Sequence, residues 1–307
     1  MDKLSSNLQN ELYNMLMERY NLYISEFNAH EDYDKSKLVN INNPNLNKFH
    51  KNILGITGLN ELFTHSNTDN NNESDKGYYI LKNRTRGSNL GYIIRSITLD
   101  RHWDNYYNKP KDIDWGLKID KVFWRGIFSG KSELPGSRYK LMKNNFGKFR
   151  YVNIFLTKTH KKDGIIDSEI RKCNIDNRWW SKNVSIEEFL KYKYILSVQG
   201  HDKDSGLSWK LNSNSVVLMN KPVYTSWLME SKLVPWIHYV PLNSNFTDLI
   251  EKIEWCRAND NKCKEIVKNA NNFMKMFENK DIEERLEKLV IANYKKMFML
   301  EKSKGKF

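Results

Sequence analysis

The strongest constraint on the fold is an alternation of strand-like and helix-like segments that begins near residue 121 and continues over roughly 150 residues. Short apolar runs, typical of strands, are separated by segments whose apolar residues recur at helical spacing. The runs are 121–126, 151–156, 194–198, 216–219 and 238–242. The run 216–219 is apolar at every position, as expected of a parallel strand buried on both faces. The alternation predicts a doubly wound α/β domain.

Ligands of such sheets bind beyond the carboxyl ends of the strands, so the turns after these runs are the first candidates for a site. The turn 124–130 contains Arg125, Gly126, Ser129 and Gly130. Its glycines let backbone amides approach an anion, and an arginine offers a planar fork to phosphate oxygens. Arg138 opens the next helix, where the dipole favours negative charge. The segment is neither a GxxxxGK[ST] nor a GxGxxG loop, and plain turn glycines explain it equally well.

Three further polar segments flank the later runs. The loop after 194–198 begins at Gly200 and offers Ser205, Lys203 and Lys210. The residues before 216–219 can line a crevice or simply form a turn; they are Ser213, Asn214 and Ser215. Glu230 can accept hydrogen bonds from ribose hydroxyls or form a surface salt bridge.

The order and spacing of these segments resemble glycosyltransferase family 90, which includes protein O-glucosyltransferases, fungal capsule-associated xylosyltransferases and bacterial lipopolysaccharide-modifying enzymes. The matching segments are Trp124-Arg125-Gly126 with Gly130, 191–196 leading to Gly200, 213–218, 227–230, 235–241 and Asp248-Leu249. The resemblance covers residues 119–275 well and the N-terminal third poorly.

The resemblance implies an α/β fold of GT-B type, with two Rossmann-like domains facing across a cleft and a C-terminal helix. The expected segments are an acceptor-side domain over 1–118, a nucleotide-sugar-binding domain over 119–278 and a terminal helix over 279–307 that can pack back on the first domain. The implied reaction inverts the anomeric centre. It moves a sugar, glucose or xylose, from a UDP-sugar to a hydroxyl of a glycan or protein acceptor. No metal or other cofactor is required.

By position in the matching segments, the resemblance assigns one set of residues to the donor. They are Arg125, Gly126, Ser129, Gly130, Arg138, Gly200, Ser205, Lys210, Ser213, Asn214, Ser215 and Glu230. Residues 204–208 depart from the Ser-Gly-Arg-Phe-Arg pattern of many members, so Lys203 or Lys210 must supply the missing charge. Without that charge, the affinity for diphosphate would be lower. An inactive member that binds donor but lacks a base is one alternative, because the Arg-Asp segment that carries the base in protein O-glucosyltransferases is missing here.

Inversion needs a group that removes the proton of the acceptor hydroxyl. The Arg-Asp-Tyr-Pro segment that carries this base in protein O-glucosyltransferases has no counterpart here, because residues 81–85 contain no carboxylate. Asp100 is the first candidate and Asp104 the second. Asp100 can equally pair with Arg101 or cap a helix.

Two other functions fit parts of the sequence. Asp112-Ile113-Asp114 and Asp202-Lys203-Asp204 match the Asp-x-Asp motif of metal-dependent GT-A transferases. A net charge of +13 and 13% aromatic residues suit a nucleic-acid-binding protein. The basic residues are dispersed and no binding motif accompanies them, so no specific nucleic-acid partner is expected.

The chain's three cysteines form no CxxC pair, which favours a reducing compartment. Cys256 and Cys263 fall on a helical pattern and are expected to pack as small apolar groups. Neither a signal core nor an apolar run of membrane-spanning length is present. These features predict a cytoplasmic protein without a membrane span.

Overall fold

The structure, a computed structural model, describes residues 6–25, 38–44, 46, 48–63, 79–157, 171–173 and 175–305. The strands are β1 (Leu38–Asn40), β2 (Glu61–Phe63), β3 (Ile80–Leu81), β4 (Asn83–Thr85), β5 (Tyr92–Ile93), β6 (Ile119–Ile127), β7 (Val152–Thr157), β8 (Trp180–Ser181), β9 (Tyr192–Ser197), β10 (Val216–Asn220), β11 (Tyr224–Ser226) and β12 (Val240–Leu242). The helices are α1 (Ser6–Tyr23), α2 (Lys48–Thr57), α3 (Asp104–Tyr107), α4 (Arg138–Asn145), α5 (Ile186–Leu190), α6 (Leu207–Leu211), α7 (Leu249–Ala258), α8 (Asp260–Lys275) and α9 (Lys280–Ser303).

The chain divides into two compact units. The first comprises Met1–Leu99, Val223–Ser231 and Asn279–Phe307, and the second comprises Asp100–Pro222 and Lys232–Glu278. The segment boundaries expected after residues 118 and 278 stay predictions.

The second unit is built on a six-stranded sheet of order β12-β10-β9-β6-β7-β8, in which every neighbouring pair is parallel. From β6 the chain moves outward through β7 to β8. It then returns to the other side of β6 to form β9 and continues outward again. This doubly wound order has its switch point between β6 and β9, where such sheets open a crevice at their carboxyl edge. The α/β class predicted from the sequence is confirmed.

Both faces of this sheet are covered, which explains the apolar runs. Adjacent residues of β6 point to opposite faces. Trp124 packs in the larger core with Leu141 of α4, and Phe123 packs in a smaller core with Trp209 of α6. Cys256 and Cys263 are buried in the larger core, as predicted.

Local capping sets where α4 begins. The Ser137 hydroxyl accepts a hydrogen bond from the backbone amide of Lys140 at 3.3 Å, which starts α4 at Arg138. Ser185 precedes α5, but its side chain makes no capping hydrogen bond.

The described strands of the first unit pair in twos. The pairs β1–β2 and β4–β11 are antiparallel, and β3–β5 is parallel. Helices α1 and α9 are joined by a buried ion pair between Arg19 and Glu283 at 2.7 Å. Glu283 also accepts a hydrogen bond from the indole of Trp227, which fixes the 223–231 segment to both helices. Among the described residues, no helix is both long and apolar enough to cross a membrane.

Candidate functional site

The loops that follow β6 and β9 touch through their backbones at the switch point. Gly130 has a φ of +80°, and a Cβ there would lie 2.5 Å from the carbonyl oxygen of Gly200. A Cβ on Gly200 would lie 2.5 Å from the hydroxyl oxygen of Ser129. Glycine is required at Gly130, because the φ is left-handed and the close atom belongs to the backbone. At Gly200 the close atom is a side-chain hydroxyl, which can shift, so the requirement is weaker.

Arg138 ties these two loops together from the first turn of α4. One terminal nitrogen of its guanidinium donates to the carbonyl of Ile127 at 2.6 Å and to the hydroxyl of Ser129 at 2.9 Å. The other donates to the carbonyl of Val198 at 3.2 Å. Its Nε has no hydrogen-bond partner among the residues that the structure describes. The carboxyl ends of β6 and β9 therefore meet around one cation.

The charge of Arg138 persists despite its surroundings. Burial lowers the pKa of its guanidinium, and the carboxylates of Asp204 and Asp202 partly oppose that effect. The ordinary pKa of arginine lies so far above 7 that the group stays charged at neutral pH.

The ring of Trp124 packs against the guanidinium of Arg138. The Arg138 guanidinium lies 5.7 Å from the centroid of the Trp124 ring, within the range of a cation–π contact. A Cβ on Gly126 would lie 2.5 Å from the same ring, so glycine is required for the indole to lie across the strand.

Arg125 is not brought to this cluster. Its guanidinium lies between the rings of Phe123 and Phe155, at 4.3 and 4.5 Å from their centroids. It donates to the backbone carbonyl and side-chain oxygen of Asn153 at 3.0 and 2.8 Å. Because Phe123 and Trp124 point to opposite faces of the sheet, Arg125 and Arg138 do as well. The structure shows Arg125 joining β6 to β7, and a diphosphate contact for it stays a prediction.

Lys210 is also engaged in other contacts, and its expected role in supplying the missing positive charge stays a prediction. Its buried ammonium donates to the carboxylate of Asp204 and, at 3.2 Å, to the carbonyl of Leu196. Asp204 further accepts from the Ser197 hydroxyl at 2.8 Å and the Gly206 amide at 3.0 Å. Burial alone would raise the pKa of Asp204, but Lys210 and these hydrogen bonds bring it below its usual value. The two opposite charges of Lys210 and Asp204 neutralise each other, and their contact links the loop after β9 to α6.

Ser213, Asn214 and Ser215 lie at the opposite edge of the sheet, and their assignment to the donor stays a prediction. They precede β10, and in a parallel sheet the residues before a strand lie at its amino edge. The Ser215 hydroxyl donates to the carbonyl of Tyr192, the first residue of β9, at 2.7 Å. The backbone amide of Asn214 donates to the carboxylate of Asp112, and the Ser213 hydroxyl donates to the carbonyl of Lys210. These hydrogen bonds satisfy polar groups at the amino edge of the sheet.

Ser205 and Glu230 complete the predicted donor set. Ser205 is half-buried in the loop between β9 and α6, at the carboxyl edge of the sheet. Glu230 belongs to the first unit, where its buried carboxylate accepts from the Ser226 amide at 2.7 Å and from the Ser226 hydroxyl. Its contact with ribose stays a prediction.

The candidate bases lie on a short helical segment. Asp100 falls in a π-helical turn over Leu99–Trp103, and Asp104 opens α3 and accepts a hydrogen bond from the Asn108 side chain. Both carboxylates are exposed to solvent. The carbonyl of His102, between them, accepts from the Ser208 hydroxyl of α6 at 2.6 Å. The segment is thus anchored to the helix that follows the β9 loop.

A model of glycosyl transferase family 90 matches residues 98–306, which is more than half of the chain. The chain belongs to glycosyl transferase family 90. The match extends the resemblance seen in the sequence on both sides, and it includes the segment with Asp100 and Asp104.

Similar proteins include bacterial, viral and animal members. The chain is 37% identical over 111 residues to O-glucosyltransferase LpsA of Dichelobacter nodosus, which covers 36% of this chain and 35% of the relative. It is 32% identical over 154 residues to Protein O-glucosyltransferase 2 of Danio rerio, covering 50% and 28%. It is 38% identical over 217 residues to Uncharacterized protein 179R of Invertebrate iridescent virus 6, covering 62% and 18%. The matched segments span 35% or less of the length of these relatives.

The two Asp-x-Asp triplets of this family 90 chain already serve other contacts. Asp112 forms an ion pair with Lys118 at 2.5 Å and lies at the amino edge of the sheet with Asn214. Asp204 is bound to Lys210. Within the part of the chain that the structure describes, no cluster of three or more His, Cys, Asp or Glu side chains is placed to hold a metal ion.

Two side-chain contacts were not predicted from the sequence. Asp204, named there only as part of an Asp-x-Asp triplet, holds Lys210, and Asn153 holds Arg125; the resemblance assigns both cations to the donor. The Asp-Ser-Gly turn at 204–206 gave a local signal for Asp204, because an aspartate caps such a turn. Asn153 gave none, since its partner lies on another strand.

Proposed function

We propose that this chain is an inverting glycosyltransferase that moves a sugar from a UDP-sugar to a hydroxyl of a glycan or protein. The observation that supports this most is the cation of Arg138, held where the glycine-lined ends of β6 and β9 meet. Family membership and relatives named O-glucosyltransferase support glycosyl transfer. Glucose is the first candidate sugar because of those names, and xylose is the second.

The diphosphate of the donor would bind at the switch point. Arg138 would stabilise it through the positive charge of its guanidinium, whose buried Nε has no hydrogen-bond partner among the described residues. The backbone amides of the glycine-containing loops would approach it without a Cβ in the way. As the glycosidic bond to the diphosphate breaks, negative charge grows on the leaving oxygen. A fixed cation in a partly buried site stabilises that charge more than water does. This arrangement removes the need for a metal ion on the diphosphate.

The acceptor would attack from the side opposite the leaving diphosphate, which inverts the anomeric centre. A carboxylate must take the proton of the acceptor hydroxyl as the new bond forms. Asp100 is proposed for this role and Asp104 is the alternative. Their solvent exposure suits a base whose partner is an incoming substrate.

A donor panel tests the proposal. UDP-glucose, UDP-xylose, UDP-galactose and UDP-N-acetylglucosamine are incubated with the intact chain, without acceptor, in the presence of EDTA, and released UDP is measured. We expect slow release from UDP-glucose or UDP-xylose that EDTA leaves unchanged. Release that needs added Mn²⁺ would favour the metal-dependent alternative. No release from any donor, together with no binding of UDP, would contradict the proposed function.

A further inference from the structure

A cavity lies in the second unit, on the outer side of α4. It has a volume of about 510 Å³, within the range of small-ligand sites. None of the predicted donor residues lines it. The residues that matter to its chemistry are Glu133, Tyr139, Lys140, Lys143, Asn144 and Lys172.

The register of α4 explains why these side chains share one face. Tyr139 and Lys143 are four residues apart, as are Lys140 and Asn144, so the four side chains form one strip of the helix. The residues of α4 that are buried against the sheet are Leu141, Met142 and Asn145. The strip therefore lies on another side of the helix and lines the cavity, while Tyr139 also packs against the larger core.

The described lining of the cavity carries more positive than negative charge. Among the residues that the structure describes, three lysines line it and one carboxylate, Glu133, which lies 3.5 Å from Lys172. Among the residues that the structure describes, no carboxylate forms an ion pair with Lys140 or Lys143. By contrast, Lys262 and Lys264 of α8 each have a carboxylate partner. Two ammonium groups without a counter-ion in a concave site favour an anionic ligand.

The rest of the lining suits a sugar ring. Tyr139 is half-buried, its ring lies 6.0 Å from that of Trp179, and Lys143 lies 5.7 Å from its centroid. An aromatic ring held in this way offers a flat apolar surface beside a cation. The opposite wall is the loop after β12. The side-chain amide of Asn144 donates a hydrogen bond to the carbonyl of Asn245 in this loop at 2.7 Å. This wall adds the side chains of Asn245 and Thr247 as hydrogen-bonding groups.

We propose that this cavity binds an anionic saccharide, a sugar ring carrying a phosphate or carboxylate group, as part of the acceptor. The ring would stack on Tyr139 and the anionic group would lie between Lys140 and Lys143. Naming the ligand as acceptor depends on the proposed glycosyltransferase function. The cavity would select acceptors by charge at a place separate from the diphosphate site, because Arg138 faces the sheet edge and the strip lies on another side of α4.

The test is a titration of the intact chain with glucose 6-phosphate at low ionic strength, followed by NMR or calorimetry. Glucose and inorganic phosphate are titrated separately. We expect Lys140→Gln and Lys143→Gln each to weaken glucose 6-phosphate binding by about three- to fivefold, as for a partly exposed charge-assisted contact. Lys121→Gln is the matched control, because it removes one exposed lysine near the start of β6. Its binding should equal that of the unmodified chain.

A fourth variant, at Tyr139, separates the contribution of the aromatic ring from that of the charge. Tyr139→Leu should weaken binding of glucose 6-phosphate and leave binding of inorganic phosphate unchanged. The proposal is overturned if all three lysine variants behave alike, or if inorganic phosphate binds as tightly as glucose 6-phosphate. Stronger binding of a single-stranded oligonucleotide than of the sugar phosphate would also overturn it. UDP affinity, measured on the same samples, should not change in the Lys140 and Lys143 variants. If the chain binds UDP but not glucose 6-phosphate, only the proposed saccharide site is rejected. If it binds glucose 6-phosphate but not UDP, the proposed donor site is rejected.

Discussion

Replacing Gly130 by alanine tests whether the close approach of the two loops is needed for donor binding. Gly130→Ala introduces a methyl group 2.5 Å from the carbonyl oxygen of Gly200, in a residue with a φ of +80°. Gly147→Ala is the matched control in the same unit. Gly147 has a φ of +68°, and nothing lies within 4 Å of the position its Cβ would take.

The two variants share one energetic cost and differ in another. A non-glycine residue in the left-handed region costs roughly 1 kcal/mol at each site, after the lower entropy of the unfolded alanine chain is included. Only Gly130→Ala adds an overpacking cost of about 1–3 kcal/mol, because the β9 loop must move away. The expected loss in the free energy of unfolding is therefore about 1 kcal/mol for Gly147→Ala and about 2–4 kcal/mol for Gly130→Ala. Both leave the chain folded if its stability lies in the ordinary range of about 5–15 kcal/mol.

Urea denaturation and calorimetric titration with UDP measure the two effects separately. We expect Gly147→Ala to bind UDP like the unmodified chain. Gly130→Ala should bind it about tenfold more weakly, since moving the loop misaligns at least one charge-assisted hydrogen bond. Equal UDP affinity in the two variants, with the larger stability loss still seen in Gly130→Ala, would refute the link between the loop contact and the donor site.

Two further predictions concern the β9 loop and the base. Asp204→Asn leaves the Lys210 ammonium buried without its counter-ion, so the free energy of unfolding at pH 7 should fall by about 3–5 kcal/mol. The folded-state pKa of Asp204 lies below its unfolded value, so its contribution is fully present above pH ~4 and is lost as the pH falls further. Urea denaturation from pH 7 to pH 2 should show this loss in the unmodified chain and not in Asp204→Asn. Asp100→Asn should keep UDP affinity and lower transfer turnover at least ~100-fold in a donor-coupled assay; full turnover would move the base to another residue.

The parallel sheet and its active edge follow from local sequence signals. Apolar runs mark the strands, and the rule that ligands bind at their carboxyl ends points directly to Gly130 and Gly200. The same rule places Ser213, Asn214 and Ser215 at the opposite edge of the sheet, because they precede their strand. Strand alternation likewise separates Arg125 from the face on which Trp124 packs. In these cases the two rules are sufficient to tell on which edge or face of the sheet a residue lies. The resemblance uses position in the matching segments alone, and it assigned a wider set of residues to the donor.

Other features could not be read from the sequence because they depend on distant residues. Arg125 is held by Asn153, and β4 pairs with β11 although more than a hundred residues separate them. The Arg19–Glu283 pair joins the first helix of the chain to the last. Charge alone did not show that Lys210 is neutralised, because its pairing with Asp204 depends on how the loop after β9 folds.

The central claim is that a diphosphate binds at the switch point between β6 and β9, through Arg138. Calorimetric titration of Arg138→Gln with UDP and with uridine tests it most directly. We predict a loss of UDP affinity of about 10- to 150-fold, the equivalent of one charge-assisted contact of about 1.5–3 kcal/mol, and no change for uridine. A folded Arg138→Gln variant that binds UDP as tightly as the unmodified chain would contradict the claim.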